Sequence, residues 1–161
     1  MRYFKPATVI ELGTSLGISG AYLAAALPGT QVYTLEGAPA IAARAAENFQ
    51  SLGLPNISVI PGRFDDSLPG LLATTGKADM VYIDGNHQYQ PTMDYFRFFR
   101  DHRQNDTVLI FDDIHWSEGM EKAWEAIRND ETVTCSIDLF FLGYVFFRRE
   151  NKTPVHFSIR Y

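Results

Sequence analysis

Short apolar segments rich in Val, Ile and Tyr alternate along this chain with longer segments of helical periodicity. The alternation is typical of parallel sheets whose strands are joined by crossover helices. Turn signals such as Pro28-Gly29 and Gly76 fall where those helices should end. The pattern predicts five strands, at residues 8–12, 31–35, 57–60, 79–83 and 107–111.

Three apolar stripes lie between the predicted strands. In each stripe, apolar residues recur every three or four positions, the spacing that places them on one helix face. The stripes are Ile41, Ala45, Phe49 and Leu52; Tyr89, Met93 and Phe96; and Met120, Trp124 and Ile127. We expect each stripe to pack on a sheet face.

The pattern changes after about residue 131, where strand follows strand, at residues 132–140, 144–149 and 155–161. These segments predict an antiparallel C-terminal hairpin at the sheet edge and a final strand. The five strands and the two hairpin strands together predict a Rossmann-like, doubly wound α/β fold with a mostly parallel, seven-stranded sheet. No low-complexity linker divides the chain, so we expect residues 1–161 to form a single domain.

The charge and hydropathy of the chain limit the classes of partner that it could bind. Fourteen basic against nineteen acidic residues give a net charge of −5, which disfavours nucleic acid. The N-terminus lacks the apolar core of a signal peptide, and no segment approaches the ~18 apolar residues of a membrane span. These features predict a cytoplasmic protein without a membrane partner.

The sequence indicates two surface features, a basic helix face and an aromatic C-terminal edge. Arg97, Arg100 and Arg103 form a basic helical face, which nearby aspartates offset and which we interpret as a solvated exterior. The C-terminal edge is rich in aromatic residues and could pair with a second subunit in a homo-oligomer. Those residues are Phe140, Phe141, Phe146 and Phe147.

The first strand runs directly into a glycine-containing turn, with Gly13 and Gly17 before a predicted helix. Glycines at that point let a ligand approach the backbone. Glu36 ends the second strand, where a doubly wound sheet presents a carboxylate to ribose hydroxyls. The spacing differs from the dinucleotide fingerprint, so the ribose-bearing ligand need not contain a diphosphate. The alternative is a tight turn beside a surface acid.

The segment from Glu11-Leu12-Gly13 to Ser19 resembles the first motif of class I S-adenosylmethionine-dependent methyltransferases. The resemblance implies S-adenosylmethionine as cofactor. It also implies that residues 61–69 form the adenine-binding turn, although Asp65 or Asp66 could instead cap the next helix. The implied cofactor-binding residues are Glu11, Gly13, Thr14, Ser15, Gly17, Ser19, Glu36, Gly37, Arg63, Phe64, Asp65 and Asp84.

Two further strands end in acids, at Asp84 and at Asp112-Asp113. Neighbouring strands would bring these carboxylates together, and a divalent cation would neutralise their repulsion. Magnesium suits such an oxygen-rich set, so Asp84, Asp112 and Asp113 are candidate metal ligands. The alternative is that Asp112 or Asp113 caps the following helix.

The sequence Asp84-Gly85-Asn86-His87-Gln88-Tyr89 resembles O-methyltransferases of the catechol and macrocin type. Asp113 stands where the catechol branch has asparagine, as in the macrocin-like enzymes. The resemblance implies methyl transfer to a hydroxyl of a small molecule. Asp84, His87 and His115 are the candidate catalytic residues, since either histidine could remove the hydroxyl proton.

Methyltransferases of this type carry extra N-terminal helices over the cofactor, whereas the first predicted strand begins within ten residues of Met1. We therefore expect a chain without that lid, or a fragment. A catalytically degenerate cofactor-binding protein and a methyltransferase of a macromolecule remain alternatives. A nicotinamide-dependent oxidoreductase is disfavoured because no Tyr-Lys or Cys/His catalytic set is evident.

Overall fold

A computed structural model describes residues 1–160 of the chain. The strands predicted in the first 112 residues are confirmed to within one residue. In chain order the elements are β1 (Thr8–Leu12), α1 (Ile18–Ala26), β2 (Gln31–Glu36), α2 (Pro39–Ser51), β3 (Ile57–Pro61), α3 (Phe64–Thr75), β4 (Met80–Ile83), α4 (Tyr89–Asp101), β5 (Val108–Asp112), α5 (Glu118–Arg128), β6 (Cys135–Asp138), β7 (Leu142–Phe146) and β8 (Val155–Ser158).

The sheet has the order β3-β2-β1-β4-β5-β7-β6-β8, which confirms the Rossmann-like α/β fold. It has eight strands rather than the predicted seven. The predicted hairpin is present, with β6 antiparallel to β7. It does not form the edge, because β8 pairs parallel to β6 along its outer side. Tyr161, the end of the predicted final strand, lies outside the described residues.

The chain divides into two compact units, of which the first is Met1–Val81. Here β1, β2 and β3 pair in parallel. The core is formed by the interior of β1 and β2, by Ile57 at the start of β3, and by the middle of α2, including Ala45 and Phe49. Ile41 and Leu52 were expected in the same core but are 40% and 63% exposed, because they lie in the first turn and at the C-cap of α2.

The second unit begins at Tyr82. Its core forms around β5, of which Val108 to Phe111 are buried, and the predicted stripes on α4 and α5 pack there. Tyr89 is an exception, at 41% exposed, because it is the first residue of α4. The division into two compact units neither supports nor contradicts the prediction of a single domain. Within residues 1–160, no helix is long and apolar enough to cross a membrane.

Candidate cofactor and active site

Glu36 lies at the carboxyl end of β2, and the backbone holds both of its carboxylate oxygens. The Ser15 backbone N–H donates to Oε2 at 2.9 Å, and the Ala38 N–H donates to Oε1 at 3.0 Å. The Gly62 N–H donates to the Glu36 carbonyl at 2.9 Å. The ends of β1, β2 and β3 therefore meet around one half-buried acid whose orientation is set by main-chain donors.

The turn after β1 has an irregular backbone. Gly13 and Ser15 have φ of 102° and 48°, and the Gly13 and Thr14 N–H groups both donate to the Leu35 carbonyl. These angles aim the exposed Ser15 N–H at Glu36. The remaining predicted positions flank the same region, with Ser19 half-buried in the first turn of α1 and Gly37 exposed after β2.

Gly17, predicted to line the cofactor, has a structural requirement of its own. It is the N-cap of α1 with φ of 88°, and a Cβ atom there would lie 2.6 Å from the Phe49 ring. Glycine at this position therefore lets α1 begin close to α2. A direct contact with the cofactor stays a prediction.

Glu11 and Thr14 lie in the interior of the first unit. Thr34 donates to the Glu11 carboxylate, and the Thr14 and Thr34 hydroxyls are 2.6 Å apart. Because each hydroxyl has one proton, Thr14 is the donor to Thr34. Glu11 is 0% exposed and lies beneath Gly20, whose absent Cβ leaves room for the carboxylate. Both side chains are buried in the interior beside the turn that follows β1.

The predicted adenine-binding turn leads into α3. Arg63 is the N-cap and forms long, exposed ion pairs with Asp65 and Asp66. Phe64 is half-buried and begins the helix. No side chain caps α3, so the alternative that Asp65 or Asp66 is its cap is wrong. Acids in the first turn still favour the helix through its dipole.

Asp84 and His87 form a pair in the loop between β4 and α4. The His87 Nε2 lies 3.4 Å from Asp84 Oδ1, and the two side chains are 28% and 31% exposed. Asn86 and His87 both have positive φ, and the Asn86 amide donates to the Tyr95 hydroxyl at 2.6 Å. The hydrogen bond to Asp84 raises the pKa of His87 above its ordinary value; burial opposes this rise.

Asp112 and Asp113 lie near enough to this pair for their negative charges to add to the rise in the pKa of His87. The Tyr82 hydroxyl donates to Asp112 Oδ2 at 2.7 Å, and the Asp113 N–H donates to Oδ1 at 3.0 Å. Burial raises the pKa of Asp112, and the charges of Asp84 and Asp113 add to that shift. Three carboxylates and an imidazole thus share one polar cluster.

The donor types in this cluster suit magnesium, but their arrangement does not. Both Asp112 oxygens accept hydrogen bonds, and Asp84 is engaged by His87. Within the described residues, no group of three His, Cys, Asp or Glu side chains is placed to hold a metal ion.

The capping alternative for Asp112 and Asp113 is wrong. The N-cap of α5 is Ser117, whose hydroxyl accepts from the Met120 N–H. Asp113 instead has φ of 53°, a left-handed conformation at the carboxyl end of β5. Neither acid therefore caps α5.

His115 binds different partners from His87. Its Nε2 lies 3.0 Å from Asp138 Oδ2, its Nδ1 lies 3.5 Å from Glu121, and its ring stacks on Phe140. Asp138 also accepts from the Phe140 N–H and from Arg160. Burial alone would raise the pKa of Asp138, yet these hydrogen bonds lower it below its ordinary value. The structure thus gives His115 an anchoring carboxylate.

Four residues that shape these sites were not predicted from the sequence. Tyr82 and Asp138 hold Asp112 and His115, whereas Gly20 and Gly62 make room for Glu11 and reach Glu36. Tyr82 had a usable signal, since it lies two residues before Asp84 and its side chain therefore shares a face of β4 with that acid. Asp138 had none, because its pairing depends on the register of the C-terminal strands.

Comparison with known proteins gives the family. A family model described as a methyltransferase domain matches residues 10–114. A search of curated proteins finds no match.

Three solved structures share the fold over most of the chain. The O-methyltransferase TomG from Streptomyces achromogenes, in complex with S-adenosylmethionine, is 23% identical with a TM-score of 0.77, covering 91% of this chain and 75% of that chain. The Bacillus cereus O-methyltransferase, in complex with S-adenosylhomocysteine, is 22% identical with a TM-score of 0.72, covering 90% and 76%. The S-adenosylhomocysteine-bound methyltransferase PaMTH1 from Podospora anserina is 18% identical with a TM-score of 0.74, covering 91% and 74%.

The family match covers the turn after β1, Glu36 and the acidic cluster at the ends of β4 and β5. The chain therefore belongs to the methyltransferase domain family, among the class I S-adenosylmethionine-dependent methyltransferases that its first motif resembles.

Proposed function

We propose that this protein transfers the methyl group of S-adenosylmethionine to a hydroxyl oxygen of a small molecule. The observation that carries the proposal is the fixed carboxylate of Glu36. Two backbone N–H groups hold it at the end of β2, in the position where doubly wound sheets bind ribose. Each carboxylate oxygen retains a lone pair for one ribose hydroxyl.

The turn after β1 also supports this cofactor. Ser15 is exposed and Gly13 has no side chain, so a ligand can approach the main chain there. S-adenosylmethionine has a ribose but no diphosphate, in keeping with the glycine spacing. The similar structures from Streptomyces achromogenes and Bacillus cereus contain this cofactor and its demethylated product, respectively.

The proposed chemistry is an in-line displacement. The acceptor oxygen forms a bond to the methyl carbon as the bond from that carbon to sulfur breaks, which releases S-adenosylhomocysteine. The hydroxyl proton passes to neutral His87, which Asp84 orients and stabilises once it is charged. Both side chains are about one-third exposed, so an acceptor can reach them. His115, fixed by Asp138, is a second candidate base.

Magnesium assistance, which the three neighbouring carboxylates suggest, stays a prediction. Binding an ion between Asp84, Asp112 and Asp113 would require Asp84 to leave His87 and Asp112 to exchange its bond from Tyr82. If bound there, the metal would acidify an acceptor hydroxyl.

The cofactor site is tested by calorimetric titration with S-adenosylhomocysteine. The change is Glu36→Gln, which removes the charge and turns an amide N–H₂ toward one backbone donor. The matched control is Glu47→Gln, an exposed acid on α2 whose partner is Arg44. Loss of a charge-assisted hydrogen bond predicts affinity about ten- to one hundred-fold weaker for Glu36→Gln. Equal binding by the two variants would contradict the assignment.

Repeating the titration with Mg²⁺ tests the metal prediction separately. Coupling that disappears in Asp113→Asn would support a metal in the acidic cluster. Affinity that is independent of Mg²⁺ would support a His87–Asp84 mechanism alone. Binding without methyl transfer to hydroxylated small molecules would favour the degenerate or macromolecular alternatives.

A further inference from the structure

A polar cavity of about 320 Å³ lies in the second unit, at the amino end of β5. The acidic cluster lies at the carboxyl end of the same strand, about 13 Å away along its five residues. The cavity volume falls at the lower end of the range for small-molecule sites. The lining residues are Arg103, Gln104, Asn105, Thr132, Thr134, Phe147 and Arg149.

Two of the lining residues are arginines whose guanidinium groups have no acidic partner within residues 1–160. Arg103 lies over the Phe147 ring at 5.2 Å and donates through Nη1 to the Arg100 carbonyl. These contacts hold its plane and leave its other N–H groups available. The Arg149 main chain is held by Asn105 Oδ1 at 3.0 Å. Across residues 1–160, neither guanidinium forms an ion pair.

The neighbouring acids bind other groups than these two guanidiniums. Asp130 binds Arg100 and accepts from Thr132 at 2.6 Å. Glu150 binds the Asn105 amide, and Asp106 pairs with Arg148. Neither guanidinium is therefore occupied by a carboxylate, while Glu150 brings one negative charge to the same rim through Asn105.

We infer that this cavity binds a small molecule bearing a phosphate group. A phosphate monoester carries a charge of about −1.5 to −2 at neutral pH, which balances two guanidinium groups. Planar guanidinium forks bind phosphate oxygens in pairs, and one of them is already oriented by Phe147. The hydroxyls of Thr132 and Thr134 each donate within the protein, so they are left to accept from hydroxyls on the rest of the ligand.

The test is an amide NMR titration of the full chain with glycerol 3-phosphate, inorganic phosphate and succinate at constant ionic strength. We expect saturable shifts at Asn105 and Arg149, with both phosphates binding more tightly than succinate. The variant Arg149→Gln should weaken binding about tenfold, since it removes a charge-assisted contact. The matched control Arg148→Gln makes the same charge change at the neighbouring residue and should alter affinity by less than about twofold.

A second variant distinguishes loss of the binding site from loss of the fold. Arg103→Lys keeps the charge but loses the planar fork, and it should weaken phosphate binding several-fold while the spectrum stays that of a folded protein. Equal weakening by Arg148→Gln and Arg149→Gln would show that binding depends on general positive charge, and it would overturn the proposed site. Shifts that do not saturate, or that appear only near Ser15 and Glu36, would also overturn it.

Discussion

Gly17→Ala is expected to destabilise the protein by about 2–5 kcal/mol, from two separable causes. The first is conformation, because an alanine at φ of 88° is in the left-handed region, which costs roughly 1–2 kcal/mol. The second is overlap, because the new Cβ would lie 2.6 Å from two atoms of the Phe49 ring. That ring is 3% exposed and cannot move without repacking, which costs typically about 1–3 kcal/mol.

Gly53→Ala provides the matched control. Gly53 has φ of 66°, and a Cβ there would meet nothing within 4 Å. The control therefore has the conformational cost without the overlap. Both substitutions also reduce the entropy of the unfolded chain equally, so that contribution cancels.

Urea unfolding followed by circular dichroism measures both free energies. Gly17→Ala should be less stable than Gly53→Ala by about 1–3 kcal/mol, the overlap contribution alone. A difference below about 0.5 kcal/mol, the size of ordinary surface effects, would refute the packing of α1 on Phe49. It would then favour a role for Gly17 confined to the cofactor.

Three further outcomes are expected from unfolding measurements. Asp79→Asn should cost about 1–3 kcal/mol at pH 7, because Asp79 accepts from the Ala7 and Thr8 N–H groups and pairs with Lys77. Although burial alone would raise the pKa of Asp79, these bonds lower it, so its contribution is complete above the unfolded value of about 3.9. The gap between wild type and variant should therefore shrink as pH falls through the lowered pKa; a constant gap would contradict this. Gly143→Ala places a Cβ 2.6 Å from the buried Trp124 ring and should cost about 1–3 kcal/mol, whereas unchanged stability would refute that contact. Asp138→Asn removes the charged partner of His115 and Arg160 and should cost about 1–3 kcal/mol, with His115 ring resonances shifting; unmoved resonances would contradict the pairing.

Much of the fold could be predicted because local pattern and tertiary structure agree. The buried strands β1 and β5 are short apolar runs, and the turns between elements contain glycine and proline. The strands β4 and β5 are each followed by acids whose charges act on His87. Family motifs added the identity of the cofactor, which the residue pattern alone left as a ribose-bearing ligand.

The details that could not be predicted depend on partners distant in sequence. Glu11, a predicted cofactor residue, is buried because Thr34 and the missing side chain of Gly20 make the interior favourable for its carboxylate. His115 pairs with Asp138 only because β6 and β7 bring residue 138 toward the end of β5. Periodicity cannot report such pairings, since both residues satisfy the strand and loop patterns equally well in other registers.

The central claim is methyl transfer to a hydroxyl, and its most direct test is the rate of S-adenosylhomocysteine release from S-adenosylmethionine. Hydroxylated aromatic and sugar acceptors would be compared with the same molecules already O-methylated. We expect product with the free hydroxyl, none with the methyl ether, and loss of the rate in Asp84→Asn. Equal rates with both acceptors, or an unchanged rate in Asp84→Asn, would contradict it.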